Sequence, residues 1–327
     1  MKLGQWIGLV ALFVSLYILW QIRHILLLGF AAIVLATALN RGVRQLQQCG
    51  IKRRLAVILA LAIVFALLAI FISLIGVPFS KEFQQLLERT PQGIERLRTW
   101  SDWLLGAAGL TDQLKSLAYR SFGHIFTFLS ASIAVPLEVL LVLILTVMLL
   151  ANPLQYRRAF VQLFPSFYRR RADEILSRCD VALGGWLIGI LFNVTVITVV
   201  SWVGLWLLQV PLVLANALLA GLLTFIPNLG PTISVIPPVA IALLDTPWKA
   251  GGVLILYILL HEIEGDFLTP FVMAKQVSLL PALTLLSQLI FAVFFGFLGL
   301  LLAVPLLVVL QVWVQECLIK DVLDRWQ

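Results

Sequence analysis

The stretch Phe225-Ile226-Pro227-Asn228-Leu229-Gly230-Pro231 separates two apolar runs that are each too short to cross a lipid bilayer. Leu212–Ile226 has 15 residues and Thr232–Leu244 has 13. As helices, these arms reach about 20–23 Å, whereas the hydrocarbon core of a bilayer is roughly 30 Å thick. The prolines and the glycine leave backbone groups without helical partners, and such groups must face protein or water. Segment 212–244 is therefore predicted to be a re-entrant hairpin or a broken helix that lines a path.

The composition of the whole chain is typical of a membrane protein. Of its 327 residues, 61% are apolar or aromatic and only 12% are charged. Soluble domains have about 45–50% apolar and about 25% charged residues, so a soluble enzyme, a nucleic-acid-binding module and a disordered protein are excluded. The net charge of +7 is explained by basic loops at a cytoplasmic membrane surface, without nucleic acid. We predict an all-α polytopic membrane protein with about eight membrane segments, two of them re-entrant hairpins.

Five apolar runs before the hairpin region are predicted to span the membrane: Leu3–Ile22, Ile25–Leu39, Leu55–Phe79, Ile125–Leu150 and Val181–Leu208. Loops 40–54 and 151–180 carry eleven of the 23 basic residues, so the positive-inside rule puts both in the cytoplasm. We expect a multi-pass membrane protein with both termini in the cytoplasm. The predicted divisions are three spans in 1–79, an extracytoplasmic segment in 80–124, spans four and five in 125–208 and a transport core in 209–327.

Segment 80–124, between the third and fourth spans, is amphipathic. Its apolar residues recur at helical spacing with charged residues between them. This pattern predicts helices lying in the outer membrane interface, or alternatively a small cap or an oligomer contact. Pro91-Gln92-Gly93 is expected to end the first of these helices, and Gly106–Gly109 the second.

A second interrupted segment lies near the carboxyl end of the chain. Leu283–Glu316 is too long for one ordinary span and is interrupted by Gly296-Phe297-Leu298-Gly299, with Pro305 six residues later. Both interrupted segments have a Leu-Gly pair between short apolar arms, which indicates a weak internal repeat. With 248–263 as a span between them, 212–244 and 283–316 are predicted to enter from opposite faces. That arrangement suits alternating access.

Three carboxylates are candidates for an ion or proton site. Glu138 falls inside the predicted fourth span, where a charge is costly, and its alternative role is that of a protonated structural carboxyl. Glu264 and Asp266 follow span 248–263 as cytoplasmic-side groups that bind a cation, pin the hairpin or merely carry interfacial charge. The neutral residues inside spans are expected to make hydrogen bonds between helices; they are Asn193, Asn216 and Gln288. The only three histidines are scattered and no HExxH motif occurs, so we predict neither a metal site, nor a cofactor, nor an enzyme.

Three motifs occur in order along the chain: Phe225–Pro231, Ile263-Glu264-Gly265-Asp266-Phe267-Leu268-Thr269-Pro270, and Phe295–Pro305, with Pro281 before the last. In these motifs, and in its overall layout, the chain is similar to the autoinducer-2 exporter family of bacterial membrane proteins. Asp266 departs from the Asn expected at that position. The resemblance implies a homo-oligomeric transporter of small solutes. Some members are linked to export of autoinducer-2 and others to sodium/proton exchange.

The leading hypothesis is a secondary transporter that exports or exchanges a small polar solute by alternating access. The residues predicted to form the hairpin tips and the solute path are Pro227, Asn228, Gly230, Pro231, Gly296, Gly299 and Pro305. Two alternatives stay open, a sodium/proton antiporter and a non-transporting scaffold that binds lipid or protein.

Overall fold

The computed structural model describes residues 14–15, 17–18, 20–105, 136–227, 229–268 and 281–323, and the regular secondary structure in these ranges is helical. The α-helices are α1 (Arg23–Gln48), α2 (Arg53–Phe71), α3 (Val77–Leu105), α4 (Pro136–Ala151), α5 (Pro153–Gln162), α6 (Arg169–Leu207), α7 (Val213–Leu223), α8 (Leu229–Ser234), α9 (Ile236–Asp245), α10 (Pro247–Glu262) and α11 (Pro281–Trp313). Three segments are π-helical: Ile72–Gly76, Ile263–Leu268 and Val314–Leu323.

Four helices in the described ranges are long and apolar enough to cross a membrane, namely α1, α2, α6 and the segment Ala282–Leu323. A fifth is obtained if α4 and α5, which meet at 91°, are counted as one broken span. The all-helical membrane fold is thus confirmed. The count of eight membrane segments stays a prediction, because most of Leu3–Ile22 lies outside the described residues and the hairpin arms are short.

The chain divides into two compact units, of which the first comprises residues 1–57, 135–180 and 286–327. In this unit α1 and α4 pack side by side around an apolar core formed by Leu27, Leu28, Ala31, Ala32, Val142 and Leu302. The Arg53 guanidinium donates hydrogen bonds to the Asn40 side chain at 3.3 Å and to the Leu150 carbonyl at 3.2 Å. Arg53 therefore links α1, at Asn40, to the end of α4.

A charged network in the first unit surrounds Glu316, whose side chain is only 4% exposed. Its carboxylate binds Arg171 at 2.9 Å, Arg178 at 2.7 Å and Lys320 at 2.7 Å. Two of these cations lie in the first turns of α6 and the third in Val314–Leu323. Because a buried carboxylate needs such partners, the network fixes the C-terminal segment to the beginning of α6.

The second unit comprises residues 58–134 and 181–285, and in it α3 packs against α7 and α9. The predicted helix end at Pro91-Gln92-Gly93 is wrong, because α3 continues through Pro91 to Leu105. Contacts on both sides of the proline hold the helix together. Glu82 accepts a hydrogen bond from the Ala215 amide and Arg96 donates one to the Leu244 carbonyl, both at 2.9 Å. The predicted break at Gly106–Gly109 lies outside the described residues.

Candidate functional site

The first predicted hairpin consists of two short helical arms joined by a tight turn. The first arm, α7, has 11 residues, and the second comprises α8 and α9. Gly230 lies so close to the Leu223 carbonyl that a β-carbon there would overlap the oxygen. The chain therefore doubles back between these two residues. Pro227 and Pro231 flank this turn and are half-buried, and Asn228 lies outside the described residues.

Beside the hairpin, two hydrogen bonds connect α6 and the residues just after it to α10 and the turn that continues it. At one end, the Lys249 ammonium donates a hydrogen bond to the Gln209 carbonyl at 3.1 Å. At the other end, the Asn193 amide donates one to the Glu264 carboxylate at 3.4 Å. Residue numbers rise along α10 as they fall along α6, so the two segments run antiparallel. Glu264 lies in the π-helical turn that continues α10, and such turns are frequent at functional sites.

Asn193 lies near the middle of the longest uncharged part of α6. No Asp, Glu, Lys or Arg occurs between Asp180 and Gln209, and Asn193 is about 20 Å from the first and about 24 Å from the second at 1.5 Å per residue. The carboxylate of Glu264 is therefore opposite the centre of the apolar stretch. The position of Glu264 on the cytoplasmic side of span 248–263 stays a prediction. Its contact with Asn193 is reached because α10 has only 16 residues and Glu264 lies in the turn that directly follows it.

The first hairpin arm approaches α6 next to Asn193. A β-carbon at Gly221 would overlap the Thr198 hydroxyl and lie 3.0 Å from the Val194 carbonyl, so α7 lies directly on α6 at the residue that follows Asn193. The Asn193 side chain is buried, and its carbonyl oxygen has no hydrogen-bond partner among the described residues. One part of α6 thus holds the end of the hairpin arm, a buried polar oxygen and a bound carboxylate.

The second predicted hairpin begins in the second unit, but its turn and its longer arm belong to the first. Gly296 interrupts α11 with φ of 66° and ψ of −145°, which lie outside the helical region. Gly299 lies against the Phe291 carbonyl, and a β-carbon there would overlap that oxygen. Eight residues of straight helix rise about 12 Å, so the chain folds back here also. Pro305 lies in the second arm.

The structure does not bring all predicted site residues together. Glu138 belongs to the first unit and lies in the first turn of α4. Its carboxylate is 3.8 Å from the His24 imidazole, and the two side chains are 35% and 48% exposed. Sequence reasoning missed this partner. It also named Asn193 only as a residue that bonds helices. The side chain of Asp266 lies outside what the structure describes. No group of three or more His, Cys, Asp or Glu suited to a metal ion occurs within the described ranges.

The model of the AI-2E family transporters matches residues 8–319. The chain belongs to the AI-2E transporter family. Among similar proteins, YueF of Bacillus subtilis, named as a candidate transport protein, is 23% identical over 83% of this chain and 78% of its own length. The AI-2 transport protein TqsA of Escherichia coli is 30% identical over 38% of this chain and 36% of TqsA.

A further relative, YrrI of Bacillus subtilis, has the same kind of name and is 29% identical over 46% of this chain. That match spans 42% of YrrI, so it covers less than half of either protein. Membership of the AI-2E family, together with several apolar helices, identifies the chain as a membrane transporter.

Proposed function

We propose that this AI-2E transporter moves a small polar solute across the bacterial cytoplasmic membrane by alternating access. We propose further that the first hairpin and the Asn193–Glu264 pair form its transport site. The observation that carries the proposal is the Glu264 carboxylate bound to Asn193, opposite the middle of the uncharged part of α6. Carboxylates are costly at that depth in a bilayer, and where they occur they mark solute, ion or proton pathways.

The hairpin supplies the second half of the site. Its two arms are shorter than a spanning helix, and the carbonyls of Leu222, Leu223 and Ile226 accept the amide hydrogen bonds that close the turn, which leaves each oxygen a second lone pair for a solute. Broken helices of this kind bind ions and polar solutes in secondary transporters. Gly221 places the end of the first arm beside Val194, one residue from Asn193. A solute held there would contact both the turn and the polar pair.

Glu264 has a role in which its charge changes during the cycle. A carboxylate in an apolar environment is favourable only when it is bonded, protonated or paired with a cation. The Asn193 amide supplies one bond, and the unpartnered Asn193 oxygen offers a further ligand for a cation or a proton donor. Binding of a proton or a sodium ion would thus relieve the cost of the charge and couple its movement to the solute. The sodium/proton antiporter alternative uses the same pair without a solute.

The test is flux through the purified protein in liposomes. Autoinducer-2 uptake and sodium-driven pH change are measured in the same preparation for the wild type, Glu264→Gln and Glu262→Gln. Glu262 is the matched control, because it is an exposed carboxylate two residues away on the same segment. We expect Glu264→Gln to lower flux at least about tenfold, the loss that corresponds to one charge-assisted hydrogen bond. Glu262→Gln should retain most of the flux.

Three outcomes would contradict the proposal. Equal flux in both variants would remove Glu264 from the transport site. Sodium-driven pH change without solute uptake would favour the antiporter. The scaffold would be favoured by two results together. The well-folded wild type would show neither solute uptake nor pH change, and Pro227→Ala and Gly230→Ala would leave partner binding unchanged.

A further inference from the structure

One face of α3 carries three charged residues at intervals of seven, namely Glu82, Arg89 and Arg96. Seven residues are close to two helical turns, so these side chains lie in one row. The outer two bind the first hairpin, Glu82 at the amide of Ala215 and Arg96 at the carbonyl of Leu244. These contacts complement the helix dipoles, with an acid at the beginning of α7 and a base at the end of α9.

Arg89, midway between them, is not used in this way. It makes no hydrogen bond or ion pair with another residue in the described part of the chain. Instead it lines a cavity of about 610 Å³. The other walls come from the end of α6, the beginning of α7 and the end of α9, and include Trp206, Gln209, Val213 and Leu244. All of these residues belong to the second unit.

The cavity favours an anionic group. Arg89 contributes a guanidinium, which binds phosphate through several N–H donors at once. The amide end of α7, which begins at Val213, is already bonded to the Glu82 carboxylate, so Arg89 supplies the positive charge of the cavity. The carboxylate that lines it, Asp245, is already bonded to the Lys249 ammonium. The negative charge is therefore neutralised locally, whereas the positive charge of Arg89 is not.

The surroundings of the cavity indicate that the anion belongs to a lipid. Trp206 on its rim is 63% exposed, the neighbouring Leu207 is 68% exposed and Trp248 is 89% exposed. Tryptophan is enriched at the level of the lipid headgroups in membrane proteins, because its ring has an apolar body and a polar N–H. We propose that this cavity binds the phosphate of a phospholipid headgroup, with Arg89 as its main ligand and the acyl chains lying along Trp206 and Leu207.

The test measures how lipid protects the purified full-length protein against thermal unfolding in detergent. Phosphatidylglycerol is compared with diacylglycerol of the same acyl chains and with inorganic phosphate. The variants are Arg89→Gln, Arg89→Lys and Lys81→Gln. Lys81 is a matched control, because it is an exposed cation on the same helix that does not line the cavity.

We expect phosphatidylglycerol to raise the unfolding temperature of the wild type and diacylglycerol to leave it unchanged. Arg89→Gln should weaken the apparent lipid affinity by about tenfold, as expected for one charge-assisted bond. Arg89→Lys should retain part of that affinity and Lys81→Gln all of it. Equal protection of Arg89→Gln and the wild type would overturn the proposal. Protection by inorganic phosphate at least as strong as that by lipid would also overturn it, in favour of a free anion.

Discussion

Replacement of Gly230 by alanine tests whether the hairpin turn depends on a close approach between its two arms. The added β-carbon would overlap the carbonyl oxygen of Leu223. That oxygen is part of the backbone at the end of α7, so the overlap is relieved only if one arm moves. Overpacking of this kind costs about 1–3 kcal/mol, and the upper part of that range applies because no flexible side chain can yield. We expect Gly230→Ala to lower the free energy of unfolding by about 2–3 kcal/mol.

The matched control is Gly251→Ala in α10, where a β-carbon would meet no atom within 4 Å. Alanine is favoured over glycine inside a helix by roughly 0.5–1 kcal/mol, so this substitution should stabilise the protein. Thermal unfolding of both variants in detergent measures the difference in sign. If the two variants shift stability equally, or if Gly230→Ala is neutral, the arms do not approach each other as the structure shows.

Two further predictions concern the contacts that hold each unit. Glu316→Gln should destabilise the protein by about 2–3 kcal/mol. This is below the 3–5 kcal/mol typical of a broken buried ion pair, because Arg178 and Lys320 are 54% and 46% exposed and can turn to water. Chemical unfolding measures the loss, and a loss no larger than that caused by Glu174→Gln, at a half-exposed carboxylate, would refute the prediction. Glu82→Ala should lower the free energy of unfolding by about 1 kcal/mol, because α7 loses a cap. Glu82→Gln keeps an acceptor for the Ala215 amide and should lower it less. Equal losses for the two variants in unfolding scans would show that this hydrogen bond contributes nothing.

The features that were predictable from sequence are those that depend on local pattern. The apolar run Val181–Leu208 follows a charged segment and is ended by Gln209-Val210-Pro211, and the structure gives one helix that ends at Leu207. Proline and glycine between short apolar runs mark the turn near Gly230 and the interruption at Gly296, because these residues disturb a helix wherever the chain places them.

Other features depend on contacts between residues far apart in the chain. The Asn193–Glu264 pair joins residues separated by 71 positions, and neither side chain indicates its partner in the sequence. Pro91 shows the opposite case, in which a strong local signal was overridden. Proline in a helix interior costs about 3 kcal/mol of stability. However, α3 is anchored to the hairpin on both sides of this residue, through Glu82 and Arg96. Tertiary contacts of this kind can offset the local cost.

The weak repeat between the two interrupted segments has a physical basis in the glycines that it aligns. Gly230 approaches the Leu223 carbonyl, seven residues earlier, and Gly299 approaches the Phe291 carbonyl, eight residues earlier. In both places the second arm folds back onto a backbone oxygen of the first, and any side chain would block it. Two such turns need to share only a few residues. The arms need only be apolar, whereas the residue at the close contact must be glycine. The turns can share this requirement even though their arms differ in length and sequence.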